Sequence, residues 1–287
     1  MKIGAIFPQT EIGSDPIGVR DYAQAVEDMG FSHILIYDHV VGAAPQGRDF
    51  PMAYTDQSLF HEPFVLFGYL AGFTKRVELM TGVIILPQRQ TVLVAKQAAE
   101  VDVLSGGRLR LGVGIGWNPV EYEALNENFH NRGRRIEEQV EVMRQLWTEP
   151  VVEYHGKWHQ IDRAGLNPLP IQQPIPVWFG GSAEPALQRL ARIADGWIPI
   201  RKPLEGWAVV VERVRGYVRD AGRDVTSFGL EGRLNTAMLP PEQWPAEAEE
   251  WRALGATYLG VNTMGAGLRG PQAHIDRLRQ AKAALSF

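Results

Sequence analysis

The chain of 287 residues contains no cysteine, which excludes disulfide bonds, catalytic thiolates and cysteine-ligated metal clusters. No apolar run approaches the roughly 18 residues that suggest a membrane-spanning helix, so we expect no membrane partner. An excess of basic residues is also missing, because 29 Lys and Arg face 33 Asp and Glu. We therefore expect no nucleic-acid partner. The apolar stretch near the start is too short for a signal peptide, and Pro8 interrupts it, so we expect a cytoplasmic protein.

The segment LRLGVGIGWNP, residues 109–119, has alternating glycines but lacks a dinucleotide-binding fingerprint. That fingerprint, G-x-G-x-x-G, needs a third glycine where this chain has Trp117 or Pro119. We interpret the segment as a buried strand in which Gly114 and Gly116 allow another group to approach the backbone. Two explanations stay open: the glycines make room for a flat ligand, or they relieve crowding inside a barrel.

Eight apolar, β-rich segments alternate with helical patterns along the chain. The predicted strands are 2–9, 33–39, 77–86, 109–116, 176–181, 196–200, 228–234 and 258–263. The predicted helices are 16–29, 62–74, 91–105, 132–148, 183–194, 204–221, 242–254 and 271–285. Short strands rich in Ile and Val are typical of a parallel sheet covered by helices. Eight such units predict an α/β fold, a (β/α)8 TIM barrel forming a single domain over 1–287. A doubly wound sheet is the alternative.

Residues 151–175 interrupt this alternation. The segment VVEYHGKWHQI predicts a small hairpin around Gly156, inserted between the fourth and fifth strands and followed by a proline-rich linker. His155 and His159 are four residues apart, but a hairpin does not bring them together as a metal-binding helix would. We expect no metal site.

Five segments carry a resemblance to a known family. They are YDHV (37–40), LMTGVIILPQR (79–89), AKQAAEVDVLSGGRLRLGVGIGW (95–117), RGRRIEEQVEVMRQLW (132–147) and WFGGSAEPALQRLARIADGWIP (178–199). The chain resembles the luciferase-like monooxygenase superfamily nearly from end to end, and within it the branch of coenzyme F420-dependent oxidoreductases. The resemblance implies a tricyclic flavin or deazaflavin ring lying across the mouth of the barrel.

The resemblance also implies residues that hold the ring. In the family, the third strand carries a bulge with a non-prolyl cis peptide against one ring face, and the matching residues are Thr81, Gly82 and Val83. The alternative is that Gly82 is an ordinary strand glycine. Gly114, Gly116 and Trp117 are expected at the same mouth, where Trp117 shapes the pocket.

The cofactor phosphate is expected at Gly180, Gly181 and Ser182, where a strand meets the helix predicted from 183. Free N–H groups and the helix dipole bind anions there, and we expect Ser182 to cap the helix. An ordinary capped turn is the alternative. Arg201 and Lys202 follow the sixth strand and either bind the phosphate or acidic tail of the cofactor or are simply solvated.

His39 is the predicted catalytic residue, because histidine exchanges protons near neutral pH and this position lies near the reactive ring atom in several relatives. Asp38 either orients the ring, binds a cofactor hydroxyl or pairs with His39. Some relatives carry a proton-donating glutamate directly after the fourth-strand glycine, where this chain has Trp117. Glu121 or Glu123 could replace it, but the sequence defines no acid partner for His39.

The predicted activity is hydride transfer between coenzyme F420 and a small organic substrate. One alternative is an FMN-dependent monooxygenase that needs a reductase partner, and another is a barrel that binds flavin without turnover. The loop over 42–61, with Phe50, Tyr54 and Phe60, either covers the substrate or merely packs down. A homodimer is consistent with the resemblance, although the apolar faces of the helices at 62–74 and 91–105 are also explained by burial within one chain.

Overall fold

A computed structural model describes residues 1–49, 52–200 and 204–286 of the chain. Three predicted residues, Phe50, Arg201 and Lys202, lie outside these ranges. The strands are β1 (Lys2–Ile6), β2 (His33–Ile36), β3 (Glu78–Thr81), β4 (Ile84–Ile85), β5 (Leu109–Gly114), β6 (Val152–His155), β7 (Gln160–Ala164), β8 (Val177–Gly180), β9 (Gly196–Ile198), β10 (Gly229–Asn235) and β11 (Tyr258–Asn262). The helices are α1 (Pro16–Asp28), α2 (Pro63–Ala71), α3 (Thr91–Ser105), α4 (Pro119–Ala124), α5 (Arg132–Thr148), α6 (Glu184–Ile193), α7 (Trp207–Asp220), α8 (Trp244–Ala253) and α9 (Gly270–Leu285).

The parallel strands close into a barrel of the predicted (β/α)8 type. Around it the order is β3, β2, β1, β11, β10, β9, β8 and β5, and β5 pairs again with β3. The predicted third strand of the barrel is divided into two pieces, β3 and β4, which both pair with β5 in parallel. We call each of the eight strand positions around the barrel a stave. The fold prediction is therefore confirmed.

The third stave breaks at the peptide bond between Gly82 and Val83, which is cis. This is the bulge that the resemblance implies, so Gly82 is not an ordinary strand glycine. The Thr81 side chain bridges the break to β5: its hydroxyl donates to the carbonyl of Gly112 (2.7 Å) and accepts from the Gly112 N–H (2.9 Å).

The predicted hairpin is present as the antiparallel pair β6–β7, outside the barrel sheet. Local signals explain several helix ends. The Asp15 side chain caps α1 through the N–H groups of Ile17 and Gly18, and Gly106 ends α3 with φ at +75°. None of the helices in the described ranges is long and apolar enough to cross a membrane.

The N-terminal end of the barrel interior is filled by a buried ion network. Glu231 on β10 lies 2.8 Å from both His33 Nε2 and an Arg110 nitrogen. The Arg110 guanidinium also lies over the ring of Tyr258, 3.7 Å from its centroid. Burial raises the pKa of Glu231, but the charges of His33 and Arg110 outweigh it and lower this pKa to about 2. The network fills the N-terminal end of the barrel, so the C-terminal end is the one available for an active site.

An apolar layer lies inside the barrel, made of Ile6, Leu35, Met80, Trp178, Ile198 and Met264. Tyr37 and Val83 pack against it. The layer separates the ion network from the C-terminal ends of the strands.

Candidate active site

A cavity of about 810 Å³ opens at the C-terminal ends of the barrel strands. Its volume is within the range of small-molecule and cofactor sites, and its position is where barrel enzymes carry their active sites. Ten of the predicted site residues line it: Asp38, His39, Gly82, Val83, Gly114, Gly116, Trp117, Gly180, Gly181 and Ser182. A smaller cavity of about 280 Å³ lies between α7 and the start of β10, away from the mouth.

His39 lies beside a buried glutamate, Glu121, which comes from α4. His39 Nδ1 is 3.2 Å from Glu121 Oε2, and Glu121 Oε1 accepts the Val40 N–H at 2.7 Å. Because an ionised carboxylate only accepts, an ionised Glu121 makes Nδ1 the protonated nitrogen, which donates a hydrogen bond to it. In the neutral ring Nε2 is then unprotonated, and it has no hydrogen bond to any described residue. The acid partner that the sequence left undefined is therefore Glu121, whereas Glu123 on the same helix is exposed.

Three aromatic rings surround the imidazole of His39. Their centroids lie 4.9 Å (Phe60), 5.2 Å (Tyr54) and 5.9 Å (Trp117) from that of His39. We call these three rings the aromatic cage. Burial raises the pKa of the Tyr54 phenol to about 12. The loop over 42–61 thus contacts the predicted catalytic residue, and only 10% of the His39 side chain is exposed.

Asp38 points away from His39 and pairs with Arg89. Its Oδ1 accepts from Arg89 at 2.8 Å, and its Oδ2 accepts the Ile85 N–H at 3.0 Å. Burial raises the pKa of Asp38, and the Arg89 guanidinium partly offsets that effect. The carboxylate therefore ties the end of β2 to β4, and the pairing of Asp38 with His39, one of the three alternatives from the sequence, is not formed.

The glycines of the mouth make room for side chains of the third stave. A Cβ built on Gly114 would lie 2.6 Å from a Val83 methyl carbon, and one on Gly180 would lie 2.9 Å from the other. Gly116 has φ at +63°, and a Cβ there would lie 2.7 Å from Ile85. The glycines of β5 and β8 therefore make room for Val83, which is seated between them. Val83 in turn forms part of the cavity wall.

The turn after β8 differs from the prediction in one respect. Helix α6 begins at Glu184, and Ala183, not Ser182, occupies the N-cap position without a side-chain hydrogen bond. Ser182 is exposed on the cavity, and the Gly181 carbonyl accepts the Trp197 indole N–H at 2.8 Å. The backbone N–H groups of Ser182 and Ala183 have no partner among the described residues. The expected cap was wrong because the turn runs one residue further before the helix starts.

The Glu184 carboxylate, at the first position of α6, does not compete for an anion at this turn. It pairs with Arg213 at 3.2 Å and accepts a hydrogen bond from Tyr217 on α7. The N–H groups of Ser182 and Ala183 and the positive end of the α6 dipole thus remain available to a ligand, whereas the N–H groups of Ala186 and Leu187 donate to the Ala183 carbonyl.

Thr81 lies outside the cavity. It is fully buried, and its hydroxyl is engaged with Gly112 on β5. Thr81 thus supports the bulge at Gly82–Val83 through its contacts with β5 and does not line the cavity.

Polar residues of the cavity that were not singled out from the sequence include Thr10 and Glu11, after β1, and Arg233 on β10 and Asn262 on β11. Arg233 and Asn262 point inward because alternate side chains of a barrel strand face the interior. The strand pattern alone could have placed them there. Helix α4 was also missed, although Asn118 and Pro119 form a typical N-cap and first helical residue.

Comparisons with known proteins agree with the fold and identify the family. The family model for luciferase-like monooxygenases matches residues 4–283. A protein of Mycobacterium tuberculosis is 37% identical over 209 residues, which cover 70% of this chain and 71% of that protein. The FMNH(2)-dependent dimethylsulfone monooxygenase of Pseudomonas putida is 28% identical over 210 residues, which cover 72% of this chain and 54% of that protein.

A solved structure of an F420-dependent secondary alcohol dehydrogenase, in complex with an F420-acetone adduct, superposes with a TM-score of 0.77. It is 16% identical and covers 99% of this chain and 98% of its own, so this likeness speaks for the fold. The family match extends over nearly the whole chain and includes every residue that lines the cavity. The chain therefore belongs to the luciferase-like monooxygenase family, whose members are monooxygenases and other oxidoreductases, and it is an enzyme of that class.

Proposed function

We propose that this protein uses coenzyme F420 to transfer a hydride to or from a small organic substrate in the cavity at the barrel mouth. The observation that supports the proposal is the His39–Glu121 pair, because His39 lines the cavity and its imidazole would lie beside the expected position of the reacting atoms. When bound, the deazaflavin supplies the hydride chemistry, and the protein supplies binding, orientation and proton exchange.

The described residues fit such a cofactor. Val83 presents a side chain to the cavity from the cis-linked bulge and is seated between Gly114 and Gly180, so it forms a firm support for one ring face. The unpartnered N–H groups at Ser182 and Ala183 would hold a phosphate at the start of α6. Arg201, which the sequence suggested as a ligand for the same phosphate, lies outside the described residues, so this role rests on the sequence alone.

His39 would exchange a proton with the substrate oxygen through Nε2. Glu121 keeps the proton of the neutral ring on Nδ1, stabilises the imidazolium and holds the ring plane, in the way that a buried carboxylate orients a catalytic histidine in other enzymes. The aromatic cage excludes water from the face of the imidazole, which strengthens the interaction of Glu121 with the neutral ring and with the imidazolium. Proton transfer of this type contributes about 10²- to 10⁴-fold in rate.

An FMN-dependent monooxygenase is the second candidate. It is favoured by the similarity to the FMNH(2)-dependent enzyme of P. putida, and it would require a reductase partner. A barrel that binds flavin without turnover was suggested by the glutamate missing after Gly116. Glu121 lies beside His39 and would supply an acid partner in place of that glutamate, which favours turnover.

Parallel titration with F420 and FMN, followed by fluorescence, tests the proposal. We expect F420 to bind at least tenfold more tightly than FMN, a difference of about 1.4 kcal/mol. Tighter binding of reduced FMN would support the monooxygenase. If neither molecule binds, the cofactor site at Gly180–Ser182 is wrong. Tight F420 binding without oxidation or reduction of any alcohol, aldehyde or ketone in a substrate panel would favour the non-catalytic barrel.

A further inference from the structure

Arg233 places a positive charge in the wall of the cavity, which the carboxylate residues Glu11 and Asp38 also line. The residue is half-buried on β10, and its guanidinium lies 5.5 Å from the centroid of the Tyr37 ring. No carboxylate of a described residue lies within 4.0 Å of it. Among the described residues that line the cavity, it is the one arginine or lysine.

Asn262, on the neighbouring strand β11, adds a hydrogen-bond donor to the same wall. Its Oδ1 accepts the Met264 N–H at 3.0 Å, so the carbonyl end of the amide is used. The Nδ2 group has no partner among the described residues, and Asn262 lines the cavity. In the register of the two strands, Arg233 is opposite Gly260 and Asn235 is opposite Asn262. Asn262 thus lies two residues closer to the mouth than Arg233.

This wall faces the bulge across the barrel. Along the closed sheet, β10 is four staves from β3 in either direction, so Arg233 and Val83 belong to opposite staves. A ring supported by Val83 on one face would turn its other face toward Arg233 and Asn262. The proposed phosphate position at Gly180–Ser182 is on β8, two staves from β10.

We infer that Arg233 and Asn262 form a subsite for an anionic group of the substrate, so that the substrate is a small organic acid. A guanidinium and an amide N–H₂ match the oxygens of a carboxylate, and arginine binds such groups in a bidentate manner. The contact of Arg233 with the Tyr37 ring fixes the guanidinium in place before the acid arrives. The inference rests on the proposed cofactor position, since that position leaves the β10–β11 wall to the substrate.

The test is calorimetric titration with benzoate and with benzamide, which have the same shape but differ in charge. Both probes are titrated into the protein alone and into the protein saturated with F420. We expect benzoate to bind about tenfold more tightly than benzamide in both states. Arg233→Met should abolish this preference and Arg233→Lys should keep part of it. The matched control, Arg219→Met, removes the same charge from an exposed position on α7 and should leave the preference unchanged.

Equal binding of the two probes by the unchanged protein, or a preference that persists in a folded Arg233→Met variant, would overturn the subsite. If Arg233→Met instead weakens F420 about tenfold and leaves the benzoate preference in place, the arginine serves the cofactor and the inference fails, while the proposed function stands. If no cofactor binds but the protein alone prefers benzoate in an Arg233-dependent manner, the proposed function fails and the anion subsite stands.

Discussion

His39 and Glu121 are 82 residues apart in the chain, yet Nδ1 of the histidine and Oε2 of the glutamate lie 3.2 Å apart at the barrel mouth. The histidine follows β2, and the glutamate comes from the short helix after β5. Since β3 alone separates β2 from β5 around the barrel, the loops after these strands meet above it. The pair therefore depends on closure of the barrel.

Replacing Glu121 by Gln should lower kcat about 10- to 100-fold while the Kd for the cofactor and KM for the substrate stay nearly constant. The amide still accepts the Val40 N–H, but it no longer carries the charge that stabilises an imidazolium. Steady-state kinetics and cofactor titration measure the two effects. The control is Glu123→Gln on the same helix, and equal kcat values in the two variants would contradict the role of Glu121.

Tyr54→Phe should keep kcat within about threefold, whereas Tyr54→Ala should lower it about tenfold or more. The ring, and not the hydroxyl, packs against His39, and a phenol with a pKa of about 12 does not titrate near neutral pH. The pH–rate profile of Tyr54→Phe should match that of the unchanged enzyme. A new break between pH 6 and pH 9 would show that the hydroxyl takes part.

Gly114→Ala should destabilise the fold by about 1–3 kcal/mol and weaken cofactor binding, because its Cβ would displace Val83. Chemical denaturation and F420 titration measure the two effects. Gly68→Ala on α2 is the control, since a Cβ there meets no atom within 4 Å, and it should stabilise the helix by about 0.5–1 kcal/mol. Unchanged cofactor affinity in Gly114→Ala would remove Val83 from the binding wall.

Acid should destabilise the barrel through Glu231. The folded-state pKa of about 2 is below the ordinary value of 4.5, so this carboxylate contributes stability above pH 4.5 that is lost as the pH falls toward 2. The contribution at neutral pH is about 3 kcal/mol by linkage. The difference in unfolding free energy between the unchanged protein and Glu231→Gln should therefore shrink from pH 5 to pH 2. The surface variant Glu249→Gln should show no such convergence.

Ser182→Ala should change the free energy of unfolding by less than about 0.5 kcal/mol, because Ala183 and not Ser182 occupies the N-cap of α6. A capping serine would contribute about 1 kcal/mol. Denaturant titration decides between the two values, and a loss of 1 kcal/mol or more would restore the cap that the sequence suggested.

Local sequence signals predicted the helices best. The predicted bounds of α3 and α5 agree with the structure, since Gly106 and Pro150 mark where each must end. Strand ends were predicted too long: Tyr37, Asp38 and His39 continue the β-rich pattern but leave the ladder after Ile36. Alternating apolar residues do not reveal where pairing stops and side chains turn toward a ligand.

The cavity lining was predicted where one segment carries the whole feature, as at Gly82–Val83 and Gly180–Ser182, and the binding of a cofactor there stays a prediction. The site was not predicted where distant segments meet. The sequence offered Glu121 and Glu123 as equal choices, and only the packing of α4 under the loop after β2 buries the first and exposes the second. The pairing of Asp38 with Arg89 was missed for the same reason, because it joins two loops above the barrel.

Val83 fills the space beside Gly114 and Gly180, so a larger side chain at any one of these three positions takes space from the other two. A Cβ on Gly114 would lie 3.6 Å from the Cβ of Val83, an ordinary contact once the valine methyls are gone. Val83→Ala should therefore tolerate alanine at position 114, although either position alone loses packing or gains a clash. The three residues are free to change together but not singly, so relatives that differ at one of them should carry a compensating difference at another.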